Sequence, residues 1–493
     1  MGKEHRRTNI QTYFISSLAI TESLIEYGIS SIFILFLLHV LHFSVHLSSS
    51  TYSQYYLFAY TLPIFVGFIS DKYLTKSRSI TIGFASMIIS QFLLYLSSSM
   101  YYQSSVEYTS LVFNPQNILF IAGLIFLGVG TSFTTNMLSK IISLISDEST
   151  NSKIDSYSIY YAFINLGVII GILIMTFIVG DSNYYLYQKA FLTFTVILVI
   201  GLIVFLWGKN RFLGEYIEDI SEKTHSNENN GKFLENAISK IKSVCYGIIH
   251  IKSVISNFIN SLTQTEKDRM KLFFILLIFI IIYRIGYTQS SASIVIFEEN
   301  FVLRDYGFLI LPVQLFSIFN PLFILLLSPL YNKFNDHIEN ANRNFGIVTR
   351  IGIGLLLMAL SFIVLSSISH QIDIGLVEKI NIVWIIIYEL IIALSELFLS
   401  VTGYAMVAKL VPKKYFAFYF GIFQSTYAIA RYLTGKIIAI FPLKAATHSV
   451  KHYPIHNLAS FFLIFAVPSL ICGIILIYRR KSLEMKVHEE VPN

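Results

Sequence analysis

Apolar residues in this chain fall in long blocks rather than in the short alternating runs of a soluble fold. A helix that crosses a bilayer needs about 20 mostly apolar residues, and a window of that length finds six blocks in the first 207 residues. They lie at 14–43, 52–70, 79–99, 116–142, 155–180 and 187–207. Six more follow at 272–297, 307–331, 346–369, 381–408, 416–441 and 456–478. The pattern predicts a tail at 1–13, a six-helix block at 14–207, a polar linker at 208–271, a second six-helix block at 272–478 and a tail at 479–493. The first block holds Glu22 and Glu26 and follows a polar tail, so it is expected to be a retained helix rather than a signal peptide. Within the linker, Ile238, Ile241, Val244, Ile248, Ile251, Ile255 and Phe258 recur at helical spacing among Lys240, Lys242 and Lys252. That pattern predicts a basic amphipathic helix lying on a membrane surface; a gating or partner-binding role is the alternative.

Six helices, a linker and six helices is the plan of the major-facilitator fold. An all-α integral membrane protein with twelve spans in two bundles is therefore expected. Charge position tests the count. With both termini in the cytoplasm, the internal segments hold 28 of the 36 Lys and Arg, and the external loops hold five (Lys189, Arg304, Lys379, Lys444 and Lys451). This asymmetry obeys the positive-inside rule. It absorbs the net charge of +7, so the basic balance sets topology and implies no nucleic acid. Composition agrees: only 13% of residues are charged, about half the share of a soluble domain, and the mean hydropathy is +0.65. Cys245 and Cys472 make no disulfide framework or metal pattern, and no GxSxG, Walker, HExxH or CxxC motif points to an enzyme.

Charges within spans cost roughly 2.5–3.5 kcal/mol each, which makes every one a functional candidate. They are Glu22 and Glu26 in helix 1, Arg284 in helix 7, Glu389 and Glu396 in helix 10, and Arg431 and Lys436 in helix 11. Glu22 and Glu26 share a helix face, where two carboxylates repel and one becomes a proton carrier. Static salt bridges tying the bundles together are the alternative; Glu389 and Lys436 read as structural, Glu396 and Arg431 as functional. His39, His42 and His46, at the outer end of helix 1, read as interfacial polar residues, with a metal site or pH gate as the alternative.

Four strings then resemble one family. Asp155-Ser-Tyr-Ser-Ile-Tyr-Tyr-Ala-Phe-Ile-Asn-Leu-Gly167 is similar to the helix 5 signature FYxxINxG of the proton-dependent oligopeptide transporters. The stretch from Pro63 to Arg78, with Gly67, Asp71 and Lys72, resembles their helix 2–3 gating motif PxxGGxxADRxxGxRR. Pro312 with Asn320-Pro-Leu-Phe-Ile324 resembles the helix 8 pattern NPLFI. Ser395-Glu396-Leu-Phe-Leu-Ser-Val-Thr-Gly403, running on to Pro412, looks like the helix 10 string GELxLSPxG. The resemblance covers nearly the whole chain. It implies that Glu396, Asn165 and Asn320 grip a peptide amino terminus, since a carboxylate and two amide oxygens satisfy three ammonium donors. It also implies that Tyr27, Tyr60 and Tyr161 line the cavity, where rings accept varied side chains and hydroxyls reach backbone groups.

The departures from the family pattern are specific. Its helix 1 ExxER is Ala19-Ile-Thr-Glu22-Ser23 here, the arginine past Gly28 is Ser30, and the helix 4 Lys-Pro-Asn is Thr134-Thr135-Asn136. In the family those cations face the peptide carboxylate and take part in proton coupling. Arg284 and Arg431 instead stand where the family has an aromatic residue and an asparagine, and the helix 7 string FEQ is Tyr287-Thr288-Gln289. Either arginine could replace the carboxylate anchor through its planar fork. The rival is that Arg431 neutralises Glu396 permanently.

The resulting expectation is a monomeric multi-pass protein of the cell membrane (the inner membrane if bacterial), with lipid as its surroundings. It takes up di- or tripeptides or a related amino-bearing solute by alternating access. Protons are the coupling ion, carried by Glu22, Glu26 and Glu396, and no cofactor or metal is needed. The alternatives are a facilitator for an amino acid, conjugate or organic anion, or a non-transporting nutrient sensor.

Overall fold

The computed structural model describes residues 2–485, apart from 102–106, 146–149, 181–183, 218–262, 308, 341–345, 412–415, 443–454 and 456. The amphipathic stretch at 238–258 lies outside the described residues. Among those described, twelve helices of 22 residues or more follow in order. The first half holds α1 Gly2–Ser30, α2 Val45–Tyr73, α3 Lys76–Ser99, α4 Pro115–Ile145, α5 Thr150–Val179 and α6 Tyr187–Gly208. The second holds α7 Gln264–Tyr287, α8 Phe319–Asn340, α9 Ile347–Asp373, α10 Val383–Leu410, α11 Phe416–Ile438 and α12 Leu458–Glu484. Eight helical segments of the described residues are long and apolar enough to cross a membrane, nine when the bent first helix is counted as one span.

Three details differ from the hydropathy pattern. The first apolar block is broken: α1 ends at Ser30, and the chain bends by 46° into Phe33–Val40, whose last five residues form a π-turn. The seventh is broken as well, by a 3₁₀ turn at Thr288–Ser291 before a separate helix Ser293–Phe301. The eighth begins late, because Gly307 at φ +80° turns the chain and Pro312 precedes a 3₁₀ turn, Val313–Ile318. Apolar runs record burial in lipid or protein; breaks in the hydrogen-bond ladder leave little trace in them.

Helices pair first within each half. α1 lies along α5, and α3 lies between α4 and α6; in the second half α9 lies between α10 and α12, and α7 lies on α11. The α1–α5 crossing is close because Gly167 and Gly171 carry no side chain. A Cβ on Gly171 would sit 2.1 Å from Leu24 O, and one on Gly167 would meet Ser23 Oγ. A glycine four residues from another on one helix face is the usual means of such approach in membranes. α9 and α12 are tied at both ends by carboxylates on helix N-termini: Glu484 accepts from Thr349 N at 3.2 Å, and Asp373 accepts from Leu458 N and Ala459 N at 2.9 Å.

The halves meet along α2 and α11, and along α5 against α8 and the turn before it. Both contacts lie toward the end away from the chain termini, here termed the distal end. Ser49 Oγ donates to Gly435 O across the first contact, and Ser53 Oγ donates to Tyr432 O at 3.1 Å. Gly435 permits this: a Cβ there would lie 2.0 Å from Ser53 Oγ. At the second contact, Val168 and Ile172 of α5 pack on Ile318.

Candidate functional site

Between the halves, the residues on the terminal side of these contacts open onto a cleft. Tyr27 is 40% exposed and Tyr161 is 46% exposed, although both lie well inside their helices. Tyr27 is within electrostatic reach of Tyr60 and Tyr161 of its own half, and of Tyr287 and Tyr427 of the other. A side chain exposed yet surrounded by residues from both bundles faces a space between them. Tyr60 stacks on Tyr427 with centroids 5.8 Å apart, spanning α2 and α11. Tyr52, Tyr56 and Tyr60 repeat every four residues, which sets them along one face of α2, with centroids 4.5 and 6.1 Å apart in succession.

Two acids hang on the first half's wall. Glu22 is buried and accepts a hydrogen bond from Thr135 Oγ1 of α4. Glu26, one turn on and half-buried, is within electrostatic reach of both Glu22 and Arg431. The hydroxyl facing this pair is Thr135. Thr134, at the lysine position of the resemblance, is fully buried toward α3 and donates to Gly130 O at 2.9 Å. Ser30, at the missing arginine, shares a hydrogen bond of 3.1 Å with Tyr56 Oη.

The two arginines are held differently. Arg431, 8% exposed, donates through Nη1 to Tyr52 Oη at 2.6 Å and Ser291 Oγ at 2.5 Å, and its guanidinium lies 4.4 Å from the Tyr56 ring centroid. Its Nε is buried with no hydrogen-bond partner, and no carboxylate of the described residues is within ion-pair distance of it. Permanent neutralisation of Glu396 by Arg431 is thus not what this arrangement contains. Arg284, 4% exposed, donates through Nη1 to Phe423 O at 2.8 Å and to Thr426 Oγ1. It lies over the Phe423 and Tyr427 rings at 4.4 and 3.5 Å. It clamps α7 to α11 inside one bundle.

Glu396 of α10 lies beside Tyr287 and Asn320, bringing together two residues that the sequence motifs placed 76 positions apart. Tyr287 and Asn320 direct hydrogen-bond donors at the Glu396 carboxylate, whose Oε2 is shielded from solvent without a close partner of its own among the described residues. Asn165 is buried on α5 and donates to Tyr161 O at 2.9 Å, next to the contact with the turn leading into α8. An unpaired buried carboxylate oxygen is costly in a dry site, and an ammonium donor would satisfy it.

The stretch from Pro63 to Arg78 lies at the terminal end. Gly67 faces Asn136 Nδ2, which donates to Pro63 O at 3.0 Å. Arg78 is exposed in the first turn of α3, where its backbone N–H donates to Thr75 Oγ1, the side chain that caps the helix. Asp71 and Lys72 fall in the last turn of α2, with side chains outside the described residues. At the distal end His39 Nε2 meets Glu299 at 2.9 Å across the two halves. The sequence showed no acid near His39 because its partner lies 260 residues away. His42 takes φ 52° and stacks on Tyr101, His46 is exposed, and no cluster of three metal-ligating side chains occurs among the described residues. Sequence reasoning missed Tyr52, Tyr56 and Ser291 around Arg431. The four-residue tyrosine spacing was the available sign.

A family model described as PTR2, POT family, matches residues 77–454. The chain belongs to the POT family. It is therefore a membrane transporter with the major-facilitator fold and not an enzyme. The dipeptide and tripeptide permease B of Aliivibrio fischeri is 26% identical over 436 residues, covering 84% of this chain and 82% of the permease. The fold is shared with a crystal structure of a peptide transporter POT in complex with sulfate, at TM-score 0.75 and 19% identity, over 97% of this chain and 95% of that one. A crystal structure of tetrameric PepTSo2 shares the fold at TM-score 0.72 and 18% identity, over 97% of this chain and 99% of that one. This POT-family member has Glu396 beside Asn320, and its buried arginines, Arg284 and Arg431, lie on α7 and α11.

Proposed function

We propose that this chain is a proton-coupled symporter that takes up di- and tripeptides or related small solutes bearing an amine and a carboxylate. The observation that carries the reading is Glu396 Oε2, shielded and unpartnered beside Asn320 in a tyrosine-lined cleft. The substrate ammonium binds there, with Asn320 and Asn165 orienting it. The carboxylate binds Arg431, whose Nε is free to donate and whose guanidinium is otherwise held by neutral hydroxyls. Arg284 stabilises the α11 surface that carries Tyr427 rather than touching substrate. Tyr27, Tyr60, Tyr161 and Tyr427 present rings to side chains of varied size, which suits a site that must accept many peptides.

With the basic segments and both termini in the cytoplasm of a cell membrane, the packed distal contacts face outward and the cleft opens inward. Alternating access then means parting α2 from α11 at the distal end while the terminal end closes near Gly67, Asp71, Lys72 and Arg78. Glu22, Glu26 and Glu396 carry the protons, and Thr135 and Arg431 are the groups that sense their charge. Both six-helix bundles are carried by a single chain, and in this reading the monomer is the transporting unit.

The test is uptake by purified protein in liposomes. An inwardly directed proton gradient is expected to drive accumulation of labelled dialanine above equilibrium, and a protonophore to abolish it. Uptake that ignores the gradient overturns the coupling. A lack of both uptake and binding for every di- and tripeptide tried overturns the substrate class.

A further inference from the structure

Two buried acids have no place in that scheme. Glu298, on the helix Ser293–Phe301 at the distal end, is 2% exposed, and Glu389 of α10 is also 2% exposed. The hydropathy blocks ended at 297, which left Glu298 out of the span charges, and Glu389 read as structural. The helix carrying Glu298 is pinned beside the start of α10 by Ile380 N–H donating to Phe301 O and Leu303 N–H donating to Ile380 O, both at 2.8 Å, and the two carboxyls lie within electrostatic reach of each other. Glu389 is equally within reach of Glu396, seven residues on. Seven residues are two helical turns, so the two residues stand on one face of α10 with their backbones about 10.5 Å apart along the axis. Glu389 Oε2 is shielded with no hydrogen-bond partner, which is not how a residue held for a salt bridge is left. The other groups facing the pair are Arg304, near Glu298 and bonded to Leu311 O and Glu299 O, and Tyr388, which shares a 3.2 Å hydrogen bond with Ser290. Within the described residues no Lys or Arg makes an ion pair with Glu389.

We propose that Glu298 and Glu389 form a proton relay inside the C-terminal bundle, running from the distal end to Glu396. A proton on the Glu298 carboxyl passes to the Glu389 carboxylate, directly or through a water. Glu298 is left as a carboxylate beside Arg304, and Glu389 becomes the acid. Glu389 passes the proton through intervening water to Glu396, whose carboxylate becomes the acid, and Glu389 returns to carboxylate. Glu396, now neutral, gives up its ion pair with the substrate ammonium, and the amine leaves toward the terminal end. The route uses no group of the N-terminal bundle, and it reaches the amine site in a chain whose helix 7 has Thr288 where the family string has a glutamate.

The inference rests on the symport reading, and one experiment separates the two. Wild type, Glu389→Gln and Glu298→Gln are reconstituted, and each is assayed for gradient-driven accumulation of labelled dialanine and for counterflow without a gradient. Counterflow needs binding and alternating access but no net proton movement. Both variants are expected to keep counterflow within about twofold while accumulation falls at least tenfold, and Glu389→Asp to recover part of it. Accumulation by Glu389→Gln at the wild-type level overturns the relay alone. Parallel loss of counterflow and accumulation in both variants also overturns it, since the pair is then structural. Absence of gradient-driven accumulation in wild type removes both the relay and the symport reading.

Discussion

Arg284 and Arg431 sit in the same half, 4% and 8% exposed, each against aromatic rings and each donating to a hydroxyl. In the proposed transport cycle one belongs to a region that stays together and the other to a region that comes apart. Arg284 joins α7 to α11 within a bundle, through the Phe423 carbonyl and Thr426. Arg431 reaches from α11 to Tyr52 of α2, so its bonds change whenever the halves part. Composition treats the two as equivalent; the partner's location in the chain distinguishes them. A buried cation tied within a rigid unit is structural, whereas one tied across a moving contact, with a nitrogen left over, is available to a ligand.

The comparison can be broken at the contact itself. Gly435→Val places a side chain where even a Cβ would run into Ser53 Oγ, with backbone of Ser49 and Ser53 close behind. The distal contact cannot close around it. Uptake is expected to fall below detection while the protein stays folded, and a cysteine at Ser50 is expected to react with an impermeant thiol reagent from the distal side. A variant that transports normally would show that this crossing is not the gate.

Arg431→Gln is expected to raise the KM for free dipeptides at least about tenfold, the loss of a charge-assisted bond of about 1.5–3 kcal/mol. Peptides with an amidated carboxyl are expected to bind wild type and variant alike, as read by thermal shift. Equal loss for both kinds of peptide removes the carboxylate from Arg431. Arg284→Gln is expected to do the reverse: a Tm lower by several degrees, from acceptors left buried without a donor at about 1–3 kcal/mol, with KM per folded molecule within about threefold. A tenfold KM change there, at unchanged Tm, would exchange the roles of the two arginines.

The smallest effect is expected at Thr135→Val, which keeps the volume and removes the donor to Glu22. A net loss of about 1 kcal/mol corresponds to roughly a fivefold change in proton-driven uptake at fixed pH. Counterflow is expected to be nearly unchanged, because the substrate contacts are elsewhere.

The twelve helices were legible because burial in lipid writes itself into long apolar runs, and the Glu396–Asn320 neighbourhood was legible because two motifs name its parts. The partners of Arg431 were not. Tyr52 is 379 residues away, and which hydroxyl meets the guanidinium depends on how two bundles dock. Thr135 and Thr134 show the same limit at one-residue scale: only helix rotation decides which faces Glu22. Glu298 was hidden by a break in its helix, since an apolar window places a span's end by composition and not by where the chain turns.

The seal between α2 and α11 has an energetic consequence. It is made of hydroxyls on carbonyls and one guanidinium on a phenol: Ser49 on Gly435, Ser53 on Tyr432 and Arg431 on Tyr52. At about 1 kcal/mol net for each hydroxyl bond and about 1.5 kcal/mol for the guanidinium bond, these three bonds bias the closed arrangement by on the order of a few hundredfold. One proton moving down a difference of two pH units releases about 2.7 kcal/mol, which offsets most of that bias. A gate that opens for the free energy of a single proton can spend most of its time shut and still be turned over by an ordinary gradient.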